Sequence, residues 1–303
     1  MICYAGIDLG GTKSEAQLFD ASWRLVDRQR LATPDTYEAL VDVVSGQVKW
    51  SLQRAGKAIP VGVGAPGMID TRGHAFTANL PAMGKPLPAD IKASAGHQVA
   101  YINDCRALAL SEAVFGVGQG HSTVMSLIIG TGVGGGVAYD GHLRSGPSSC
   151  GGEFGHIAAA VASVQENGLS LYRCGCGRIG CVETYLAGPG LVRMARDLTG
   201  KVMTTQEIGA KKNQSGPARD AWSVWLDITA NLLISLIHSV DPDVIALGGG
   251  LSKISGVADD LKNHVSKKQL PGFGLPDIVL AAGGDASGAR GAALAAAQET
   301  GYV

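Results

Sequence analysis

Polar and apolar positions alternate through Glu15, Ala16, Gln17, Leu18 and Phe19, a period of two that predicts a half-buried strand. An apolar run, YAGIDL (4–9), precedes it across GGTK, so residues 4–20 predict a strand–turn–strand hairpin. Residues 36–55 (TYEALVDVVSGQVKWSLQRA) carry apolar positions at helical spacing. IPVGVGAPGMID (59–70) is a short strand running into a Pro-Gly turn, and VAYIND (99–104) is a strand with a polar end. CRALALSEAVFGV (105–117) then begins a helix that Asp104 is placed to cap. STVMSLIIGTGVGGGVAYDG (122–141) repeats the opening layout of strand, glycine turn and strand. A long amphipathic helix over about 218–239 stops at Asp241-Pro242, and VIALGGGLS (244–252) delivers a third glycine turn. The tail, ASGARGAALAAAQE (286–299), is a helix of small residues suited to close packing.

The repeated layout predicts two related α/β lobes. Their boundary falls near Gly116–Gly120, giving residues 1–118 with the last helix, 287–303, as one lobe and 119–286 as the other. A length of 303 residues suits two cores better than one. Net charge is −1 with no basic domain, which excludes a strong electrostatic drive toward nucleic acid or an anionic membrane. The N-terminus lacks the basic start and apolar run of a signal peptide, and no uninterrupted apolar stretch approaches the ~20 residues of a membrane span. Cys3, Cys105 and Cys150 are scattered rather than framed as disulfides, so a reducing cytoplasm is expected.

Glycine changes the picture. There are 44, about twice the usual ~7%, and they cluster at the turns. Backbone N–H groups in such turns can converge on anionic oxygens because no Cβ keeps a ligand away. The candidate phosphate-binding positions are Gly10, Gly11, Thr12 and Lys13; Gly130, Thr131, Gly132 and Gly134; and Gly248, Gly249 and Gly250. GTGVGG (130–135) matches the dinucleotide pattern in letters, but that pattern needs a helix after the turn and GVAYDG reads as strand. A Walker A loop is absent. Hairpin phosphate loops in duplicated lobes resemble the actin-like ATPase and sugar kinase fold. By that resemblance Asp8, ending the first strand, would face Mg2+ or its water shell; alone, it reads equally as a turn-forming residue.

Phosphoryl transfer needs an aligned hydroxyl, a carboxylate to take its proton and positive charge on the phosphates. Asp104 is the base candidate, ending a strand where ligands gather in open α/β sheets, with a helix N-cap as the competing role. Asn79, Asn103, Glu153, His156 and Glu183 are amides, carboxylates and an imidazole able to cradle a polyol. Two acids also suit a glycosidase, but glycosidic hydrolysis has no use for three phosphate loops.

Cys174, Cys176 and Cys181 form C-x-C-x4-C, one ligand short of a tetrahedral zinc site, and His156 can supply the fourth. Four protein ligands would make the site structural. C-x-x-C redox and H-E-x-x-H zincin patterns are absent, leaving free buried thiols as the alternative.

Taken in order, AGIDLGGTK (5–13), IND (102–104), IIGTGVGGGV (128–137), GEFGH (152–156) and CGCGRIGCVE (174–183) resemble the ROK family of bacterial sugar kinases and repressors across essentially the whole chain. The resemblance implies a two-lobed actin-like ATPase/sugar kinase fold with an inserted zinc knuckle. It implies phosphorylation of a hexose or N-acetylhexosamine with ATP and Mg2+, usually at the 6-hydroxyl, by a homodimer. Asp104 would be the catalytic base, Asn79, Asn103, Glu153, His156 and Glu183 would surround the sugar, and His156, Cys174, Cys176 and Cys181 would hold structural Zn2+. His156 would serve metal through one nitrogen and sugar through the other. TANLPAMGKPL (77–87) and CGCGRIGCVETYLAGPG (174–190) look most like N-acetyl-D-glucosamine kinases. LATPDTYEAL (31–40) and ALALSEAVFGVG (107–118) are similar to fructokinase members, and glucokinase and N-acetylmannosamine kinase are further alternatives. A sugar-responsive repressor would carry an N-terminal helix-turn-helix module, for which a hairpin beginning near residue 4 leaves no room. One departure stands out: Cys105-Arg106 replaces the family's usual Ala-Asn after the IND motif, so Arg106 either touches substrate preference or points outward to pair with an acid.

Overall fold

The computed structural model describes residues 1–144, 146–284 and 287–303; the expected lobe boundary at residue 286 lies outside the described residues. In chain order the elements are β1 (Ile2–Leu9), β2 (Lys13–Asp20), β3 (Leu25–Ala32), α1 (Tyr37–Ala55), β4 (Val61–Ala65), β5 (Met68–Ile69), β6 (Ala75–Phe76), α2 (Leu87–Ala95), β7 (Ala100–Asn103), α3 (Asp104–Phe115), β8 (Thr123–Ile129), β9 (Val133–Tyr139), β10 (His142–Leu143), α4 (Val161–Glu166), α5 (Glu183–Leu186), α6 (Gly188–Thr199), α7 (Thr205–Lys211), α8 (Pro217–Val240), β11 (Val244–Gly248), α9 (Val257–Ser266), β12 (Asp277–Leu280) and α10 (Ser287–Glu299). They form two five-stranded sheets, ordered β3-β2-β1-β4-β7 and β10-β9-β8-β11-β12. The two orders share one layout, three strands joined by turns followed by two strands added through crossovers.

The chain packs as two units: Met1–Gly116 with Gly136–Gly151 and Gly283–Val303, and Val117–Gly135 with Gly152–Ala282. In the first, β1 pairs antiparallel with β2 and parallel with β4, and β4 pairs parallel with β7. Leu40, Val44 and Val48 of α1 bury against Ile7, Leu9 and Val63 of the sheet. The small-residue helix α10 lies directly on the strands: a Cβ built at Gly6 would fall 1.8 Å from the Ala289 carbonyl oxygen, and one at Gly62 1.9 Å from that of Ala292. Helix α3 meets α10 as closely, with Gly291 against the Ala107 carbonyl. Only glycine permits such contact, because any side chain would overlap backbone that cannot move away.

Strand β2 differs from the half-buried strand its alternation predicts. Both faces are buried, with Glu15 at 4% and Gln17 at 2% exposure. It is an inner strand flanked by β1 and β3, and two of its polar side chains bond each other: Gln17 Nε2 donates to Glu15 Oε1 at 2.8 Å, and Glu15 also pairs with Arg30 of β3, while Gln17 Oε1 is buried without a partner.

In the second unit β11 runs parallel to both β8 and β12. Helix α8 has the length and hydropathy of a membrane span, yet Trp225, Ile228, Ala230 and Leu233 on it are fully buried within the unit. It is a core helix. Gly249 turns the chain after β11 with φ +87, and a Cβ there would lie 2.4 Å from the Ile129 carbonyl oxygen.

Candidate active site

The first unit carries Asp8, the turn 10–13, Asn79, Asn103 and Asp104. The turn joins β1 to β2 and closes through Gly10 N–H donating to the Lys13 carbonyl at 2.9 Å. Thr33 ties back two of its carbonyls, donating its hydroxyl to Gly10 O at 2.7 Å and its N–H to Thr12 O at 3.1 Å. Gly11 and Thr12 are exposed. Asp8 is the penultimate residue of β1, its carboxylate against the start of α10, where a Cβ at Gly288 would lie 2.9 Å from its Oδ1. The backbone of Asn79 reaches the same turn, since a Cβ at Gly11 would sit 3.0 Å from the Asn79 carbonyl oxygen.

At the β7–α3 junction the N-cap of α3 is Asn103, not Asp104. Asn103 Oδ1 accepts from the N–H groups of Cys105 at 2.9 Å and Arg106 at 3.3 Å, while its Nδ2 donates to Gly67 O at 3.0 Å. Both residues are good caps, and the helix starts one position earlier than its apolar spacing predicts. Asn103 thereby fixes the Pro66-Gly67 turn to the start of α3, with its oxygen engaged and one amide proton left over. Asp104 becomes the first helical residue. Burial pushes its carboxyl above the usual carboxylate range, against the opposing effect of the Cys105 N–H. Beside it, burial and the Asp104 charge together raise the Tyr101 phenol. A carboxylate so placed takes up a proton more readily than one in water, as a general base requires.

The second unit carries the other residues, and here the structure brings most of them together. The turn between β8 and β9 closes by Gly130 N–H to Gly132 O at 2.9 Å, and Gly188 N–H at the start of α6 donates to Gly130 O at 2.8 Å. A Cβ at Gly130 would lie 3.6 Å from Gly250 N, so the turns 130–132 and 248–250 are neighbours. Strand β9 follows the first of them, as its sequence predicts, and no helix does. Gly134 lies within β9 and Gly248 ends β11. Glu183, the first residue of α5, accepts from Val133 N–H at 2.9 Å through Oε2 and lies 3.8 Å from Cys174 Sγ through Oε1. Its carboxylate therefore bridges the glycine turn and the cysteine cluster.

Glu153 and His156 flank a short 3-10 turn, Phe154–His156. Gly155 rests on the Val133 carbonyl, Phe154 packs on Gly135, and Gly135 N–H donates to Gly152 O at 2.8 Å. His156 Nδ1 faces Cys174 Sγ at 3.7 Å while Nε2 lies 4.0 Å from Glu153 Oε2. Strand-like bonds strap the cysteine loop to the segment after His156: Ala159 N–H to Gly180 O at 2.9 Å and Val182 N–H to Ile157 O at 2.8 Å.

The ligating atoms of His156, Cys174, Cys176 and Cys181 all lie within 4.8 Å of one another. Cys176 and Cys181 sulfurs are 3.6 Å apart, against the edge of about 3.8 Å that Zn–S bonds of ~2.3 Å give a tetrahedron. The Arg178 N–H beside Cys176 lowers that thiol to about 6, while burial pushes Cys181 up to about 12. Sulfurs so crowded cannot all ionise without a cation among them. The donor set and its geometry fit a zinc site, and they leave His156 Nε2 and Glu153 on the outer side of the cluster.

Three contributors escaped sequence reasoning. Thr33 closes the first turn from 23 residues away and Val133 orients Glu183 from 50 away, neither with a local signal. Tyr101 lies three residues upstream of Asp104, on β7, where its phenol carries no motif signal.

The chain belongs to the ROK family, whose description matches residues 4–299, and it is a sugar kinase of that family. It is 39% identical over 294 residues to an N-acetylgalactosamine kinase, AgaK, of Shewanella sp. (strain ANA-3), covering 96% of each chain. It is 40% identical over 297 residues to the N-acetyl-D-glucosamine kinase of Escherichia coli (strain K12), covering 96% of this chain and 98% of that one. Among solved structures, a ROK hexokinase from Thermus thermophilus superposes with a TM-score of 0.87 at 30% identity over 100% of both chains. The fold is that of a ROK hexokinase, two α/β units each built on a five-stranded sheet.

Proposed function

We propose that the protein transfers the γ-phosphoryl group of ATP to the 6-hydroxyl of N-acetyl-D-glucosamine. The observation that carries the mechanism is Asp104, a buried carboxylate in the first turn of α3 whose Oδ1 shares the Cys105 N–H with the capping Asn103, at 2.9 Å, and which burial raises. Asp104 takes the proton of the 6-hydroxyl as its oxygen attacks the γ-phosphorus. The new O–P bond forms as the bond to the β,γ-bridging oxygen breaks, and ADP leaves. Glu153, Glu183, His156, Asn79 and Asn103 hold the sugar hydroxyls, and His156 uses Nε2, since Nδ1 faces the sulfurs. N–H groups of the turns 10–13, 130–134 and 248–250 that are not engaged within the protein bind the phosphates, Lys13 adds charge, and Asp8 would hold Mg2+ or its water shell, which would supply neutralisation of the developing charge. His156, Cys174, Cys176 and Cys181 would hold a structural Zn2+, which would fix the wall carrying His156 and Glu183. Use of ATP and of reduced thiols supports a cytoplasmic setting for the reaction.

The choice of N-acetyl-D-glucosamine rests on the likeness of residues 77–87 and 174–190 to kinases of that sugar, and a kinase of that name is 40% identical. A second reading, N-acetylgalactosamine, has support of equal extent in the 39% identity to AgaK. A coupled ADP-release assay over N-acetylglucosamine, N-acetylgalactosamine, N-acetylmannosamine, glucose, fructose and mannose separates them. The expected outcome is the highest kcat/KM with N-acetylglucosamine. A higher value for N-acetylgalactosamine moves the assignment to the second reading, and no turnover with any sugar overturns both.

A further inference from the structure

We propose that Arg106 is a positioning residue for the phosphoryl transfer, its buried guanidinium fixing the backbone of residues 149–151 to the helix that begins at Asp104. The inference rests on the reading of Asp104 and Glu153 as groups that touch the sugar. Arg106 lies in the first turn of α3 and is 6% exposed. Its Nε donates to Gly151 O at 2.8 Å and its Nη2 to Ser149 O at 2.5 Å. A planar fork reaching two carbonyls almost adjacent in the chain sets both their distance and their direction, which a single ammonium cannot do. Ser149 has φ +53, a conformation unfavourable for a non-glycine residue that persists where its surroundings hold it.

The same residue holds the far end of this segment. A Cβ at Gly136 would lie 2.9 Å from Arg106 Cα and 3.3 Å from its Cγ. Residues 136–151 are the excursion of the chain that packs with the first unit, so Arg106 touches both its first and its last residue. Only Gly152 separates Gly151 from Glu153, and only Cys105 separates Arg106 from Asp104. In the chain, the bonded residues Arg106 and Gly151 therefore each lie two positions from a residue of the proposed sugar site, Asp104 and Glu153. A displacement of about 1 Å at a reacting geometry costs on the order of 100-fold in rate.

Arg106→Lys keeps the charge and removes the fork, which separates positioning from electrostatics. The expected result is a kcat/KM for the sugar lowered roughly 10- to 100-fold, with the KM for ATP and the melting temperature close to wild type and the pH profile unshifted. Arg106→Ala should show the same split, with partial rescue by added methylguanidinium. A wild-type kcat/KM for the sugar in Arg106→Lys overturns the proposal. So does a fall in activity that tracks loss of folded protein and affects sugar and ATP alike. Glu153→Gln and Asp104→Asn run beside it: if both behave as wild type, the parent reading of the sugar site has failed. If both are impaired and Arg106→Lys is not, only this inference has failed.

Discussion

Asp104 sets the pH behaviour expected of the enzyme. Its carboxyl is raised in the folded state by burial, so its ionisation opposes folding. The stability associated with it is fully present below the unfolded value of about 3.9 and is lost as pH rises through the higher folded value. Asp104→Asn should therefore melt at a higher temperature than wild type at pH 7–8 and lose that advantage below about pH 4, measured by thermal denaturation across pH. The wild-type kcat/KM should correspondingly fall on its acid side at a pH above the ordinary carboxylate range, because the base must be ionised to act. That Asp104 lies at the junction of a strand and a helix was legible in the sequence. That Asn103 caps the helix was not, since the two residues are adjacent and both are good caps. Arg106 illustrates the same limit: its partners lie 43 and 45 residues away, beyond any local pattern.

Among the elements, the glycine turns were readable because clustered glycines after apolar strands mark a backbone device, and all three fall at strand ends. The burial of β2 was not readable, because alternation reports side-chain type and not what covers each face. The knuckle was readable through its cysteine spacing, while its straps to residues 157–159 are backbone bonds that leave no trace in residue identity. Cys176→Ser should remove zinc and raise the sugar KM together, because Glu183 and His156 are held by the same loop. Elemental analysis and steady-state kinetics on one preparation check this, and wild-type protein without zinc would contradict it. Close packing gives a paired test. Gly62→Ala should destabilise by about 1–3 kcal/mol, since its Cβ would overlap the Ala292 carbonyl. Gly46→Ala in α1, where no atom lies within 4 Å, should stabilise by about 0.5–1 kcal/mol, both read from urea denaturation.

For the whole molecule, the repeated layout of strand, glycine turn and strand carried the duplicated α/β architecture, and the two sheets repeat one strand order. The excursion 136–151 had no signal, since it depends on contacts of Gly136 and Arg106 that sequence does not order. Substrate identity is the least legible property, because kinases named for two epimeric sugars match this chain at 39% and 40% identity. The reaction itself is tested most directly by Asp104→Asn, with turnover and sugar binding measured on the same protein. The account predicts that kcat falls by about 100-fold or more while calorimetric affinity for N-acetylglucosamine stays within a few-fold of wild type. A kcat near wild type would contradict it.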